Sequence, residues 1–209
     1  MTDTLPKFHN VNYRYKQFKC AFKNANPENL EDAKLAIHFV EKNILLFKHL
    51  NLNKLPVRVC HNDTKLNNIL FSKTNKALCL IDLDTIMKGT FLYDFGDAVR
   101  TIVNSAAEDE KDLTIINFNI DLFEAFVDGL AVNEDFLIQN EKELLPISVV
   151  LMPFLHGIRA LTDYLENNKY YKVTYKSQNL DRCFSLFTFT QLAINNQELM
   201  KQIIFKKLN

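Results

Sequence analysis

The stretch His61-Asn62-Asp63-Thr64-Lys65-Leu66-Asn67-Asn68, with Ile81-Asp82-Leu83-Asp84 soon after it, constrains this chain more than any other part. In order it supplies a base, an amide and two further carboxylates. Between Asn68 and Asp82 lie two short apolar runs, Ile69-Leu70-Phe71 and Ala77-Leu78-Cys79-Leu80-Ile81. Ser72-Lys73-Thr74-Asn75-Lys76 separates them and reads as a hairpin connection. Asn75 lies near the centre of that turn. Equal steps back and forward from it place Asn68 opposite Asp82 at the open end of an antiparallel hairpin. An amide and a carboxylate side by side, a short loop from Asp63, form an oxygen set of the kind Mg²⁺ takes, often with substrate phosphates completing the shell.

The rest of the composition narrows the classes. The chain has 209 residues, enough for one domain, 1–209, with its own core. Its formal charge is zero, so no basic excess points to nucleic acid and no acidic tail to a disordered partner. Cys20, Cys60, Cys79 and Cys183 have no paired spacing and read as buried, reduced thiols. Met1–Phe18 is polar and charged, unlike a signal peptide, and no apolar run reaches the ~18 residues of a membrane span. A cytoplasmic protein is the expectation. The four glycines, at positions 89, 96, 129 and 157, are too scattered to write a glycine-rich nucleotide loop.

Taken in order, Asn12–Asn24 reads as a helix, and apolar residues from Leu30 to Phe47 recur at helical spacing, with Asn29 as N-cap and an end near Leu50. Val57–Cys60 is a short strand feeding the His61 loop. A helix beginning at Tyr93–Asn104, an acidic loop at Ser105–Lys111 and a helix over Leu113–Leu130 follow. Val132–Glu143 holds a short helix. Leu144–Glu166 is strongly apolar, with Pro146 and Pro153 placed to break or kink it. Asn167–Lys176 is a connection, and Asn179–Lys207 reads as one last helix. The fold class is mainly α (α+β): helical, with a small β-hairpin at the His61 loop.

The pattern H-x-D-x-x-x-x-N followed by I-D-x-D resembles the catalytic loop of kinase-like phosphotransferases. Its form is similar to the aminoglycoside phosphotransferase and choline kinase superfamily. Five strings, His61–Leu70, Ile81–Thr85, Leu92–Arg100, Ala106–Glu110 and Asn179–Cys183, resemble in that order the bacterial N-acetylhexosamine 1-kinases. The resemblance runs from about Asp3 to near the C-terminus and covers the second half of such an enzyme. It implies the C-terminal lobe of the protein-kinase-like fold, with the N-terminal nucleotide-binding lobe absent from this chain. It also implies ATP as phosphoryl donor, Mg²⁺, and transfer of the γ-phosphate to the anomeric hydroxyl of an amino sugar.

On that resemblance Asp63 is the catalytic base, which accepts or merely orients the acceptor's proton. Asn68 and Asp82 hold Mg²⁺. Asp84 is a second metal ligand, a substrate contact or a structural residue. Lys65 either neutralises charge on the transferred group or is a solvated lysine, and His61 is structural. Asp94-Phe95-Gly96 spells a literal D-F-G, but Asp82 ends the strand that pairs beside the loop, so Asp82 takes the metal role and Asp94 ties the following helix to the loop. Asp97 and Arg100, one turn apart, contact substrate or pair with each other. Arg159 interrupts an apolar helix and needs a partner; with Tyr170 it matches sugar-contacting positions.

Three functions stay open here: an N-acetylhexosamine kinase; a kinase for choline, homoserine or an aminoglycoside; and a non-catalytic binding lobe. The partner expectations are a second chain supplying the nucleotide lobe, or self-association through an exposed apolar face. The C-x-P-x-R signature of formylglycine sulfatases does not occur.

Overall fold

A computed structural model of the chain describes residues 4–48 and 50–208. Its centre is a 27-residue helix, α6, Gln139–Leu165. Leu145, Val149, Phe154, Ile158 and Leu161 are all fully buried. They point to different sides, so the helix is packed all round, as a helix apolar on every face must be. By length and composition α6 could cross a membrane, which corrects the expectation that no segment reaches that length. Yet 78% of its apolar window lies inside the protein, the mark of a core helix. Pro146 and Pro153, expected to interrupt it, lie within one continuous helix.

The other helices wrap this axis. Among the described residues α1 (Val11–Asn24) begins at Asn10, whose side chain accepts from Tyr13 N at 2.8 Å, an N-cap bond. The long helix expected from Asn29 is divided. Asn26, not Asn29, caps α2 (Pro27–Asp32), with Pro27 in the first turn. A turn at Ala33 leads to α3 (Lys34–Asn43) and a 3₁₀ turn at Ile44–Phe47. The expected end near Leu50 runs past His49, outside the described residues. Asn29 is buried and donates Nδ2 to Tyr164 O at 3.0 Å, tying α2 to the end of α6.

Thr90 caps α4 (Phe91–Ile102), which starts earlier than expected. Leu113–Ile115 is a 3₁₀ turn, and the helix expected from Leu113 begins only at α5 (Ile120–Ala131), where Asn119 accepts from Leu122 N. The short helix expected in Val132–Glu143 is a 3₁₀ turn at Glu134–Phe136. The C-terminal helix is split at Asn196 into α7 (Gln178–Asn195) and α8 (Gln197–Lys207). Asn196 Nδ2 bonds Leu192 O at 2.9 Å, the competition with the helix backbone that makes asparagine a breaker. α4, α7 and α1 pack directly on α6. Close approach needs small residues: a Cβ at Gly96 would lie 2.3 Å from Ser148 O.

Two small antiparallel sheets carry the site. β1 (Arg58–Cys60) pairs with β4 (Met87–Gly89), a strand that periodicity did not reveal. β2 (Ile69–Phe71) and β3 (Ala77–Leu80) form the expected hairpin. Its turn places Asn75 at φ 60°, a conformation asparagine tolerates. The expected register is corrected. Ile69 faces Leu80, and Ile81 N donates to Asn68 O at 2.9 Å, so Asn68 stands opposite Ile81 rather than Asp82. An irregularity at Leu70/Phe71 breaks the even count from the turn.

Leu70, Phe71, Leu78 and Leu80 are all exposed on this hairpin, and Val57 and Val59 are over 70% exposed beside β1. Cys79, on β3, and Cys20 are therefore exposed, against expectation, while Cys60 and Cys183 are buried; all four thiols are free.

Candidate active site

The loop between β1 and β2 is held from below by Asp94 in the first turn of α4. Asp94 Oδ2 accepts from His61 N at 2.9 Å, and Oδ1 from Asn62 N at 2.7 Å. Thr64 Oγ1 donates to Asp94 O at 2.6 Å. Burial pushes the Asp94 carboxyl up from its ordinary range, and the two backbone N–H groups pull it part of the way back. The D-F-G aspartate is thus a clamp on the loop, and its glycine is where α4 crosses α6. Asn62 takes φ 63°, and its Nδ2 donates to both Cys60 O and Thr85 O at 3.1 Å. Thr85 Oγ1 returns a bond to His61 O at 2.7 Å. His61 is buried, with Nε2 3.0 Å from Ile81 O, joining the loop to the strand after the hairpin. That contact is structural, as its place in the sequence implied.

On this clamp stands Asp63. Its Oδ2 accepts from Lys65 Nζ and from Asn68 Nδ2, each at 2.8 Å, and Asn68 Nδ2 also reaches Asp63 O. Among the described residues Oδ1 accepts no hydrogen bond, which leaves one carboxylate oxygen for a bound hydroxyl. The same bonds consume the nitrogen of the Asn68 amide and turn its oxygen to other partners. Asp82 follows Ile81 with φ 62°, a strained conformation for a residue with a side chain. Asp82 and Asp84 are exposed, and among the described residues their carboxylates make no hydrogen bond or ion pair. The donor set of one amide oxygen and two unspent carboxylates fits a hard cation that keeps several waters. Lys65 also lines a cleft of about 360 Å³ between the loop, α4, the Ser105–Glu108 segment and α7.

Asp97 and Arg100 are both brought to this region but lie beneath its surface. Asp97 is fully buried; Oδ1 accepts from Arg100 Nε at 2.7 Å and lies 3.2 Å from His156 Nε2. Burial pushes this carboxyl up, but Arg100 and His156 outweigh it and hold Asp97 well below the usual range. Arg100 Nη1 continues to Glu108 Oε2 at 2.8 Å, and Arg182 Nε lies 3.4 Å from Glu108 Oε1. The pairing of Asp97 with Arg100 is therefore real, and it forms the wall of the cleft rather than an open contact.

Arg159 and Tyr170 lie elsewhere, in a second pocket of about 540 Å³ lined by Phe8, Tyr13, Arg14 and Tyr171 as well. Arg159 is half-buried and stacks on Phe8 at 4.7 Å from the ring centroid, with no hydrogen bond or ion pair among the described residues. Tyr170 is exposed, and its backbone N–H is fixed by Asp163 Oδ1 at 2.7 Å. His9 connects this pocket to the loop. Its Nε2 lies 2.9 Å from Asn62 O, and its ring 6.2 Å from that of His156. Burial and then His156 push His9 down to about 3, so it stays neutral and donates to Asn62 O. Phe8, His9, Arg14 and His156 were missed by sequence reasoning. The one available signal was His156 at i−3 from Arg159, on the same side of α6.

A mainly helical lobe with a clamped carboxylate loop beside a small hairpin is the C-terminal lobe of a kinase-like phosphotransferase. Residues 5–126, which hold the whole loop, the hairpin and Asp94, match the model of the phosphotransferase enzyme family, and the chain belongs to that family.

Proposed function

We propose that this chain carries the catalytic lobe of an ATP-dependent kinase whose acceptor is the anomeric hydroxyl of an N-acetylhexosamine. The observation that carries this is Asp63, with Oδ2 fixed by Lys65 and Asn68 and Oδ1 left open. In the transfer Asp63 orients the acceptor hydroxyl and takes its proton as the oxygen bonds to the γ-phosphorus. The bond from that phosphorus to the bridging oxygen breaks, and ADP leaves. Phosphoryl transfer depends mainly on such positioning and on charge neutralisation. Asn68, Asp82 and Asp84 would hold Mg²⁺, which would neutralise charge on the donor phosphates. The Lys65 side chain is 34% exposed, and its ammonium has donors to spare for the transferred group. The exposed hairpin residues Leu70, Phe71, Leu78 and Leu80 would be covered by a nucleotide-binding lobe, of this or a second chain, with the nucleotide between. Arg159 and Tyr170 would contact the acceptor, and Arg100, held by Asp97, would shape the cleft. Arginines at the pocket argue against cationic acceptors such as choline or an aminoglycoside, because like charges repel.

The test has two parts. Calorimetry with Mg²⁺ and a non-hydrolysable ATP analogue should show binding that Asp82→Asn abolishes. ADP release should then be seen with N-acetylhexosamines and fall about 10²-fold or more in Asp63→Asn. Turnover that survives Asp63→Asn unchanged sinks the assignment. Release with choline or aminoglycosides but not with amino sugars replaces the acceptor.

A further inference from the structure

The pocket holding Arg159 and Tyr170 contains a second arginine. Arg14, on α1, donates Nε to Phe8 O and Nη1 to Gln17 Oε1, both at 2.9 Å, which fixes its plane. Its guanidinium carbon lies 5.8 Å from the Phe8 ring, the ring on which Arg159 stacks at 4.7 Å. Two cations therefore share one aromatic ring at the wall of one pocket, and neither has an ion pair. After burial, the charge that acts most on Arg14 is that of Arg159, which lowers its pKa, while Tyr171, Tyr13 and Tyr170 act in the opposite sense.

The carboxylates of the pocket do not offset this pair. Asp163 is buried and both its oxygens are taken, Oδ1 by Tyr170 N at 2.7 Å and Oδ2 by Tyr171 N at 3.0 Å and Asn179 Nδ2 at 2.8 Å. Glu166 is exposed at the rim. Cation–π contact with Phe8 stabilises each arginine by only about 0.5–1 kcal/mol at a partly open site, and it leaves the forked N–H donors of Arg159 without acceptors. Planar guanidinium donors of this kind match the paired oxygens of a carboxylate or a phosphoryl group. The phenol and phenyl faces of Tyr13, Tyr170, Tyr171 and Phe8 suit the apolar face of a sugar ring.

We propose that this pocket binds an anionic sugar, its carboxylate or phosphoryl oxygens held between Arg14 and Arg159 and its ring against the tyrosines. The inference rests on the pocket being the acceptor site of the proposed kinase and narrows the acceptor class to amino sugars that carry a negative group. His9, next to Phe8 in the chain, bonds Asn62 O in the loop that carries Asp63.

The test is equilibrium binding by calorimetry without nucleotide, so that it does not depend on phosphotransfer. The probes are N-acetylmuramate for the carboxylate, N-acetylglucosamine 6-phosphate for the phosphoryl group, neutral N-acetylglucosamine, and inorganic phosphate. One anionic sugar should bind at least about tenfold more tightly than the neutral one, and the stronger of the two arms identifies the group. Arg159→Gln should weaken that binding by about tenfold or more, the loss expected of a hydrogen bond to a charged group. Arg14→Gln should act in the same direction, and raised salt should weaken binding in the wild type more than in either variant. Each variant is first checked by thermal unfolding; Arg159 makes no hydrogen bond among the described residues, so its replacement should leave the fold intact. Neutral and anionic sugars binding equally, or anionic binding indifferent to both substitutions, would overturn the inference. Inorganic phosphate matching both sugars would overturn it as well, since the aromatic walls would then contribute nothing. Arginine-dependent sugar binding with no ADP release from any acceptor would leave this inference standing and refute the kinase reading alone.

Discussion

Replacing Asp94 tests whether the active loop is held in place or merely folds beside α4. The carboxylate accepts two backbone N–H groups, His61 N at 2.9 Å and Asn62 N at 2.7 Å. Hydrogen bonds to a charged acceptor contribute about 1.5–3 kcal/mol each. Burial works against this by pushing the Asp94 carboxyl up, so its charge costs desolvation that a neutral side chain does not. Asp94→Asn keeps one carbonyl oxygen for one N–H and removes the charge; the expected loss is about 1–2 kcal/mol. Asp94→Ala keeps neither acceptor and strands both N–H groups; about 3–4 kcal/mol is expected. For a chain of this size each kcal/mol lowers the melting temperature by about 2–4 °C. Urea unfolding gives the free energies, and amide chemical shifts of His61 and Asn62 report the two bonds directly. Thr64 donates to the main chain of Asp94, so its own bond serves as an internal control. An alanine variant no less stable than the asparagine variant, or unmoved His61 and Asn62 amides, would refute the clamp.

Glu141 is fully buried and accepts from Arg58 Nε at 2.8 Å and Nη2 at 2.6 Å, so Glu141→Gln should cost about 3–5 kcal/mol by unfolding and loosen β1 from α6. Gly96→Ala should destabilise by about 1–3 kcal/mol or more, because the added methyl meets the Ser148 carbonyl on α6, and backbone cannot step aside; a crystal structure would show α4 displaced from α6. Acid should destabilise in two stages. His9, held down near 3, is neutral in the fold while the unfolded chain protonates below about 6.5, so stability falls as pH drops from there. Glu108, held at about 2 against burial by Arg100, then loses its contribution as pH falls from about 4.5 towards 2; urea midpoints from pH 7 to 3 should decline throughout, and His9→Gln should flatten the upper part.

Helices were legible where apolar spacing was long and regular, as in α1 and α6, and their ends were misread where asparagines decide. Asn26, Asn119 and Asn196 each set a boundary by bonding backbone, a local choice that hydrophobic periodicity does not register. β4 was missed because its three residues, Met87–Gly89, are too few for alternation to show, and only pairing with β1 makes them a strand. The prolines of α6 were tolerated because its surroundings hold it as a core helix, so tertiary packing outweighed a local breaker. Cys79 was misplaced for a related reason: an apolar strand-like run was taken as buried, whereas every residue of β3 faces outward.

The site turns on two aspartates whose places relative to the hairpin already point to different roles. Asp82 and Asp94 each follow an apolar stretch, and Asp94 even stands in the more familiar motif. The structure adds the hydrogen-bond inventory of each. Both oxygens of Asp94 are spent on backbone N–H groups, so a cation there would have to displace the bonds that shape the loop. Asp82 sits at φ 62° with its carboxylate exposed and unspent. A non-glycine residue in that conformation costs about 1–3 kcal/mol, which surrounding structure must sustain. The hairpin closes at Ile81 and Asn68, one residue before Asp82, and the 3₁₀ turn Leu83–Thr85 follows it. Asp82→Gly and Asp82→Asn separate the backbone strain from the charge. Glycine relieves the backbone and asparagine, which tolerates φ > 0, keeps the shape without the charge. If Asp82 is there for its charge, both variants should lose Mg²⁺-nucleotide binding while neither destabilises the fold.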